Sequence, residues 1–347
     1  MRVRTGTLLL GGTVAIALGW PPAQEPTLLT QQSGTTALLI AVSAVNDSVV
    51  WVSGANRTYL RTVDGGATWT VGQVPVPDVP DLQFRDVHAV DANTAYLLSI
   101  GPGSQSRIFK TTDAGTTWRT QFVNDDSAAF YDCFDFWSPD SGIVIGDAVG
   151  DQMLVRVTTD GGSTWNRVPP ASLPQAIEGE GSFAASGTCV VVQPGGHAWI
   201  GTTKGRVVHT ADYGRTWSVS RTPITTSDSV GVVSVAFRDA QHGIAFGGFG
   251  GAPGDTLLAF TSDGGTTWTV RSRPPLRGGV SGGVYAGVGQ RLVIGGFTGA
   301  AYSPDEGRSW VPLDTANYWG IGFAPSGTGW LVGRRGRIVK VSWPGSQ

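Results

Sequence analysis

The octapeptide TTDGGSTW, Thr158 to Trp165, is one of six versions of a single pattern: TVDGGATW from Thr62, TTDAGTTW from Thr111, TADYGRTW from Thr210, TSDGGTTW from Thr261 and SPDEGRSW from Ser303 complete the set. All six obey [ST]-x-D-x-G-x-[ST]-W. Their aspartates Asp64, Asp113, Asp160, Asp212, Asp263 and Asp305 lie 49, 47, 52, 51 and 42 residues apart. A period of that length fits one four-stranded propeller blade better than a helical repeat. The residue types suit a turn that holds itself together: the carboxylate accepts backbone N–H groups, the glycine takes positive φ, and the hydroxyl adds a local bond. The tryptophans Trp69, Trp118, Trp165, Trp217, Trp268 and Trp310 then start the next strand and lay large rings between neighbouring sheets. Six of the chain's 13 tryptophans are explained this way rather than as a ligand cage.

Each copy follows a short β-type run, such as YLRT before Asp64 or RIFKT before Asp113, and leads into another, such as TWTVGQV. Upstream of each lies an inner pair, for example LIAVSAV with VVWVSG and FRDVHAV with TAYLLSI, which makes six blades. A seventh inner pair, YWGIGFA with GWLVG, is followed by GRIVKVSW and then by the end of the sequence. The segment TLLTQQ, Thr27 to Gln32, is free to supply the missing outer strand. The expectation is an all-β, seven-bladed propeller of four-stranded antiparallel blades, closed by the N-terminal strand, with six blades as the alternative. Closure protects sheet edges.

Composition agrees. Fifty-one glycines and 14% charged residues point to tight turns in a folded chain rather than to disorder. A net charge of −2 offers no whole-molecule attraction to nucleic acid or an anionic membrane, so an electrostatic partner must be read by a local patch. Arg2 and Arg4 precede an apolar run from Leu8 to Leu18 and small residues beyond it, the layout of a signal peptide over residues 1–23 ahead of a propeller over 24–347. The run is short for a membrane span. That layout predicts an exported, periplasmic or extracellular protein without a stable membrane span after processing. Cys133 and Cys189 fall on inner strands of adjacent blades, and the sequence leaves open whether they are bonded or free.

Consecutive antiparallel strands place the octapeptide turns on one face. The loops between second and third strands, with the starts of the inner strands, share the other, here called the top. Its basic residues are Arg57, Arg107, Lys204, Arg206, Arg334, Arg335 and Arg337, a crescent suited to carboxylates, phosphates or an acidic peptide. The competing reading is that lysine and arginine simply favour surface loops. Acidic residues gather in blades 3 and 4: Asp132, Asp147, Asp151, Glu178 and Glu180, with Arg85 and Asp86 at the equivalent place in blade 2. Paired carboxylates are what glycoside hydrolysis requires, and mutually satisfied ion pairs lining a polar channel are the plainer alternative.

The octapeptide is similar to the Asp box of BNR repeats, found in sialidases, sortilin-like receptors and photosystem II assembly factors. Wider stretches, FRDVHAV, FYDCFDFWSPDSGIVIGDAVGD and LPQAIEGEGSFAASGT, resemble a bacterial group of photosystem II stability/assembly-factor-like proteins, some of which carry the loose name oxidoreductase. The resemblance runs from about Leu38 to Trp343. It implies a seven-bladed scaffold whose photosynthetic relatives grip a partner protein with an arginine-rich patch; the chain itself is read as a non-catalytic monomer that binds a protein or peptide partner with the crescent together with Arg85 and Asp147. The sialidase resemblance implies a site drafted from Arg85, Arg238, Tyr131, Asp132 and Glu180, but FRDV and FRDA stand where that family has its FRIP-like motif. No GxGxxG opens a helix, and His88, His197, His209 and His242 lack metal-ligand spacing, so neither a cofactor nor a metal is expected.

Overall fold

The computed structural model describes residues 25–344 except 77, 80, 227–229 and 249–256. The expected signal segment lies outside the described residues. Strands β1 (Thr27–Gln31) to β28 (Ile338–Ser342) assemble into seven four-stranded antiparallel sheets. Six sheets use four consecutive strands each. Their inner strands are β2 (Leu39–Ala44), β6 (Gln83–Ala89), β10 (Tyr131–Phe136), β14 (Val190–Gln193), β18 (Val232–Phe237) and β22 (Gly282–Tyr285). The seventh runs β26 (Gly320–Phe323), β27 (Gly329–Val332), β28 and β1 from the inside outward. β1 pairs with β28 from Thr27↔Ser342 to Gln31↔Ile338, so the ring closes as expected, with seven blades rather than six.

Each octapeptide forms the same turn. In the first copy the Thr62 hydroxyl donates to Asp64 Oδ1 at 2.7 Å and accepts the Gly66 N–H at 2.9 Å. The Thr68 N–H and hydroxyl donate to the two Asp64 oxygens at 2.9 and 2.6 Å. The four bonds recur in the copies of Asp113, Asp160, Asp212, Asp263 and Asp305. Two successive left-handed residues reverse the chain, Gly65 and Gly66 in the first copy and Ala114 and Gly115 in the second. The first of them donates its N–H to the inner hairpin of its own blade, as in Gly65 to Ser48 O at 2.9 Å and Ala114 to Asn93 O at 2.9 Å. These turns therefore brace one face.

Apolar clusters fill the gaps between blades and gather the buried rings, with Trp51 and Trp118 between the first and second and Trp330 and Trp69 between the seventh and first. Three of the turn indoles donate into the preceding blade, Trp69 Nε1 to Gln31 Oε1 and Trp310 Nε1 to Ser272 O at 3.2 Å and Trp268 Nε1 to Ser220 Oγ at 3.0 Å, whereas Trp217 Nε1 donates to Gly214 O of its own turn. A disulfide joins Cys133 on β10 to Cys189 just before β14, with Cα atoms 6.0 Å apart, and so ties the third blade to the fourth. No helix among the described residues is long and apolar enough to cross a membrane.

Candidate functional site on the top face

The inner strands enter from the top, and several begin with a bulge. Pairing shifts register at Arg85 on β6 and at Asp132 on β10, so each of these residues sits out of the ladder at the start of its blade. Arg85 is half-buried. Its Nε and Nη2 donate to Gln83 Oε1, and its Nη1 donates to Ala184 O, 99 residues away in the connection between the third and fourth blades. The guanidinium also lies 5.0 Å from the centre of the Trp319 ring, just before β26 in the seventh blade. Burial pulls its pKa below the ordinary value. Contacts from three blades thus meet on a cation that makes no salt bridge among the described residues.

The predicted basic crescent divides. Arg334, Arg335 and Arg337, in the turn between β27 and β28, are exposed and make no salt bridge among the described residues. Arg335 adopts φ 58°, and the neighbouring Gly336 is required because a Cβ there would lie 1.9 Å from Thr35 O. With Asn317 and residues 30–36, these arginines border an open cleft of about 830 Å³. Arg337 also neighbours the Tyr318 hydroxyl, which donates to Asp314. Arg57 sits in the equivalent turn of the first blade with φ 60°, half-buried, its Nε without a hydrogen-bond partner. Lys204 is half-buried beside Gly179.

The other two basic residues face carboxylates. Arg107, nearly buried, pairs with Asp78 at 2.7 Å. Arg206 and Glu180 are buried together: Arg206 Nε donates to Glu180 Oε1 at 2.9 Å, Nη2 contacts Oε2, and the Ile177 N–H donates to the same carboxylate at 2.9 Å. That pair locks the long connection over the third and fourth blades, and the Thr203 N–H adds a bond to Gly181 O at 2.8 Å. Glu180 is accordingly a structural counter-ion here and Arg206 offers no free charge to a ligand.

The residues drafted for glycoside chemistry are not brought together. Tyr131 is buried between the second and third blades, where its hydroxyl accepts from Arg156 Nε and its ring meets Phe122. Arg238 follows β18 on the opposite face, bound to Glu306 at 2.7 Å and to Asp239. Of the drafted residues, Asp132 stands beside a second carboxyl, Asp147 of the same acidic cluster. Asp132 is buried with Oδ2 unpartnered; burial first, and then the Asp147 charge, push its pKa well above the carboxylate range. Burial likewise raises Asp147, opposed by the Ser182 N–H that donates to it at 3.1 Å. Two carboxyls in contact share a proton. Asp151 accepts from Gln175, and Glu178 is exposed.

No sequence motif marks Trp319, Asn317 or residues 33–36 as site residues. An aromatic residue at the start of an inner strand opposite an arginine was the available signal for Trp319. No group of three or more ligating side chains able to hold a metal occurs among the described residues.

No family model matches the chain. A curated xyloglucanase of a Paenibacillus species is 28% identical over 254 residues, 62% of this chain; the chain spans only about a quarter of that protein's length, since the match covers 23% of it. Among solved structures, YCF48 bound to a D1 peptide superimposes with a TM-score of 0.64 at 20% identity, covering 93% of this chain and 98% of that one. A streptogramin B lyase gives 0.69 at 11% identity, covering 92% and 98%. At these identities the likeness establishes the seven-bladed fold.

Proposed function

We propose that this chain is an exported, non-catalytic scaffold that holds an acidic segment of a protein or peptide partner on its top face and acts as a monomer. In this reading the six turns are Asp boxes of BNR type, residues 1–23 are a signal peptide, and the propeller occupies 24–347. The observation that carries the proposal is the exposed Arg334, Arg335 and Arg337 turn beside an 830 Å³ cleft, free of salt bridges among the described residues. A rigid ring presents such a turn with little ordering left to do on binding, and arginine forks orient carboxylates through paired hydrogen bonds. Arg85 on Trp319 extends the same positive surface toward the axis. The fold neighbour holding a peptide lends the reading support by analogy of fold.

The test is affinity capture from envelope extract with the native chain and with Arg334→Ala, Arg335→Ala and Arg337→Ala combined. A partner held by the native chain and released by the variant is the expected result; equal capture by both removes the arginine turn from the account. A glycoside hydrolase remains the second reading, on the strength of the xyloglucanase likeness and the Asp132 and Asp147 pair. Two catalytic carboxylates stand roughly 5–9.5 Å apart across a bond to be cleaved, whereas Asp132 is buried directly against the half-buried Asp147. Turnover on a broad glycoside panel, lost in Asp132→Asn, would restore that reading.

A further inference from the structure

The ring encloses a cavity of about 260 Å³, far smaller than the top-face cleft, between the inner strands of the first six blades. Its chemistry is the reverse of the arginine turn. Among the described residues neither lysine nor arginine lines it, whereas Asp86, Asp135 and His88 do, beside six valines and the rings of Phe134, Phe237 and Tyr285. Asp86 is buried, and burial first, with the Asp135 charge adding to it, pushes its pKa well above the carboxylate range, so a cation placed beside the pair is what would let both ionise. Both carboxylates are fixed by the backbone: Asp86 accepts the N–H groups of Val87 and Phe134 at 2.7 and 2.9 Å, and Asp135 those of Phe136 and Val192 at 2.8 and 3.0 Å. His88 Nδ1 stands 3.1 Å from Asp135 Oδ1.

The hydroxyls beside them also face the cavity as acceptors. Ser186 Oγ contacts Ser281 O at 2.9 Å, and a carbonyl can only accept, so the single Ser186 proton points there. The 2.8 Å contact between Ser186 and Thr188 then takes its proton from Thr188, and the 2.7 Å contact between Thr188 and Ser234 takes its proton from Ser234. Ser186 and Thr188 are left with lone pairs and no proton to offer. A carboxylate retains further acceptor sites after two backbone bonds. What complements two neighbouring carboxylates, spare hydroxyl lone pairs and valine walls is a positively charged donor with a short hydrocarbon body.

We propose that the axial cavity binds a small organic cation, a primary amine carrying its ammonium toward Asp86 and Asp135. The volume lies below the ~300 Å³ at which pockets for drug-sized ligands begin, which confines the occupant to a short-chain amine. This site is independent of the arginine turn and of any partner held there.

The experiment is calorimetric titration of the whole chain with n-butylammonium, with n-butanol and butyrate as neutral and anionic isosteres. Saturable one-to-one binding of the amine, absent for butyrate and at least tenfold weaker for butanol, is expected. Asp135→Asn should weaken the amine at least tenfold. Ala236→Leu, which adds bulk where the cavity wall meets the core between the fifth and sixth blades and leaves both carboxylates in place, should do the same, and unfolding midpoints recorded for both variants separate loss of binding from loss of folding. No saturable amine binding, equal binding of the three probes, or an unchanged affinity in Ala236→Leu would overturn the proposal and leave a cavity filled by water.

Discussion

At the scale of the residue, the octapeptide turn works because its partners are neighbours in sequence. The Thr68 hydroxyl, then its N–H, then the Thr62 hydroxyl bind the Asp64 carboxylate and hold its pKa at about 2. Its folded value lies below the unfolded 3.8, so its stabilisation is present above that value and is lost as pH falls through about 2. Asp64→Asn should therefore flatten the fall in unfolding midpoint between about pH 4 and 2. Asp132 has the opposite sign. Its buried carboxyl keeps its proton more firmly when folded, so the native state loses stability as pH rises above the unfolded 3.8. Asp132→Asn should remove part of that loss, seen as a smaller decline of the midpoint between pH 4 and 8. Ala114 carries φ 63° where three other copies have glycine. Left-handed backbone costs an alanine roughly 1–2 kcal/mol, partly offset in glycine by unfolded-chain entropy, so Ala114→Gly should stabilise by about 0.5–1 kcal/mol in urea unfolding. Such local chemistry is legible in a sequence. The partner of Arg206 was not, because Glu180 lies 26 residues upstream in an irregular connection whose path no periodicity fixes.

At the scale of the element, the closing strand was readable from arithmetic: one blade lacked an outer strand and one unassigned β-type segment remained. Its register, Thr27 opposite Ser342, is set by burial of the neighbouring β28 and by Gln31, whose amide donates to Gly65 O at 2.9 Å while its oxygen takes the Trp69 indole. The single bond between Cys133 and Cys189 was left open by the sequence, since two cysteines on adjacent inner strands fit bonded and free states equally; the structure brings their Cα atoms to 6.0 Å. Closing a 56-residue separation constrains the unfolded chain by about 4 kcal/mol in chain-entropy terms. Replacing both cysteines by alanine should lower unfolding stability by up to that amount, and reductant should change the midpoint of the native chain but not that of the variant. The bulges at Arg85 and Asp132 are the elements that sequence hid. Alternation continues on both sides of a one-residue insertion, so nothing in FRDV or YDCF marks which side chain leaves the ladder.

At the scale of the molecule, the ring separates two chemistries that share one chain with a net charge of only −2. Arginines stand exposed at the top beside a wide cleft, and carboxylates line a small cavity between the inner strands. Which face carries the octapeptide turns followed from strand order alone, and so did the loop positions of the arginines. Which of those arginines remain free of carboxylates depended on contacts between blades, and only the folded ring supplies them. In the proposed function, the arginines of blade 7 that make no salt bridge among the described residues draw an acidic segment to the top face. Titrating the whole chain with a glutamate-rich decapeptide at about 50 and 500 mM salt tests it most directly, since screening at the higher salt confines charge attraction to about 4 Å. Binding at low salt that weakens at least tenfold at high salt, and at least tenfold in the triple arginine variant, is the predicted result. Affinity unchanged by salt or by loss of the three arginines would contradict it.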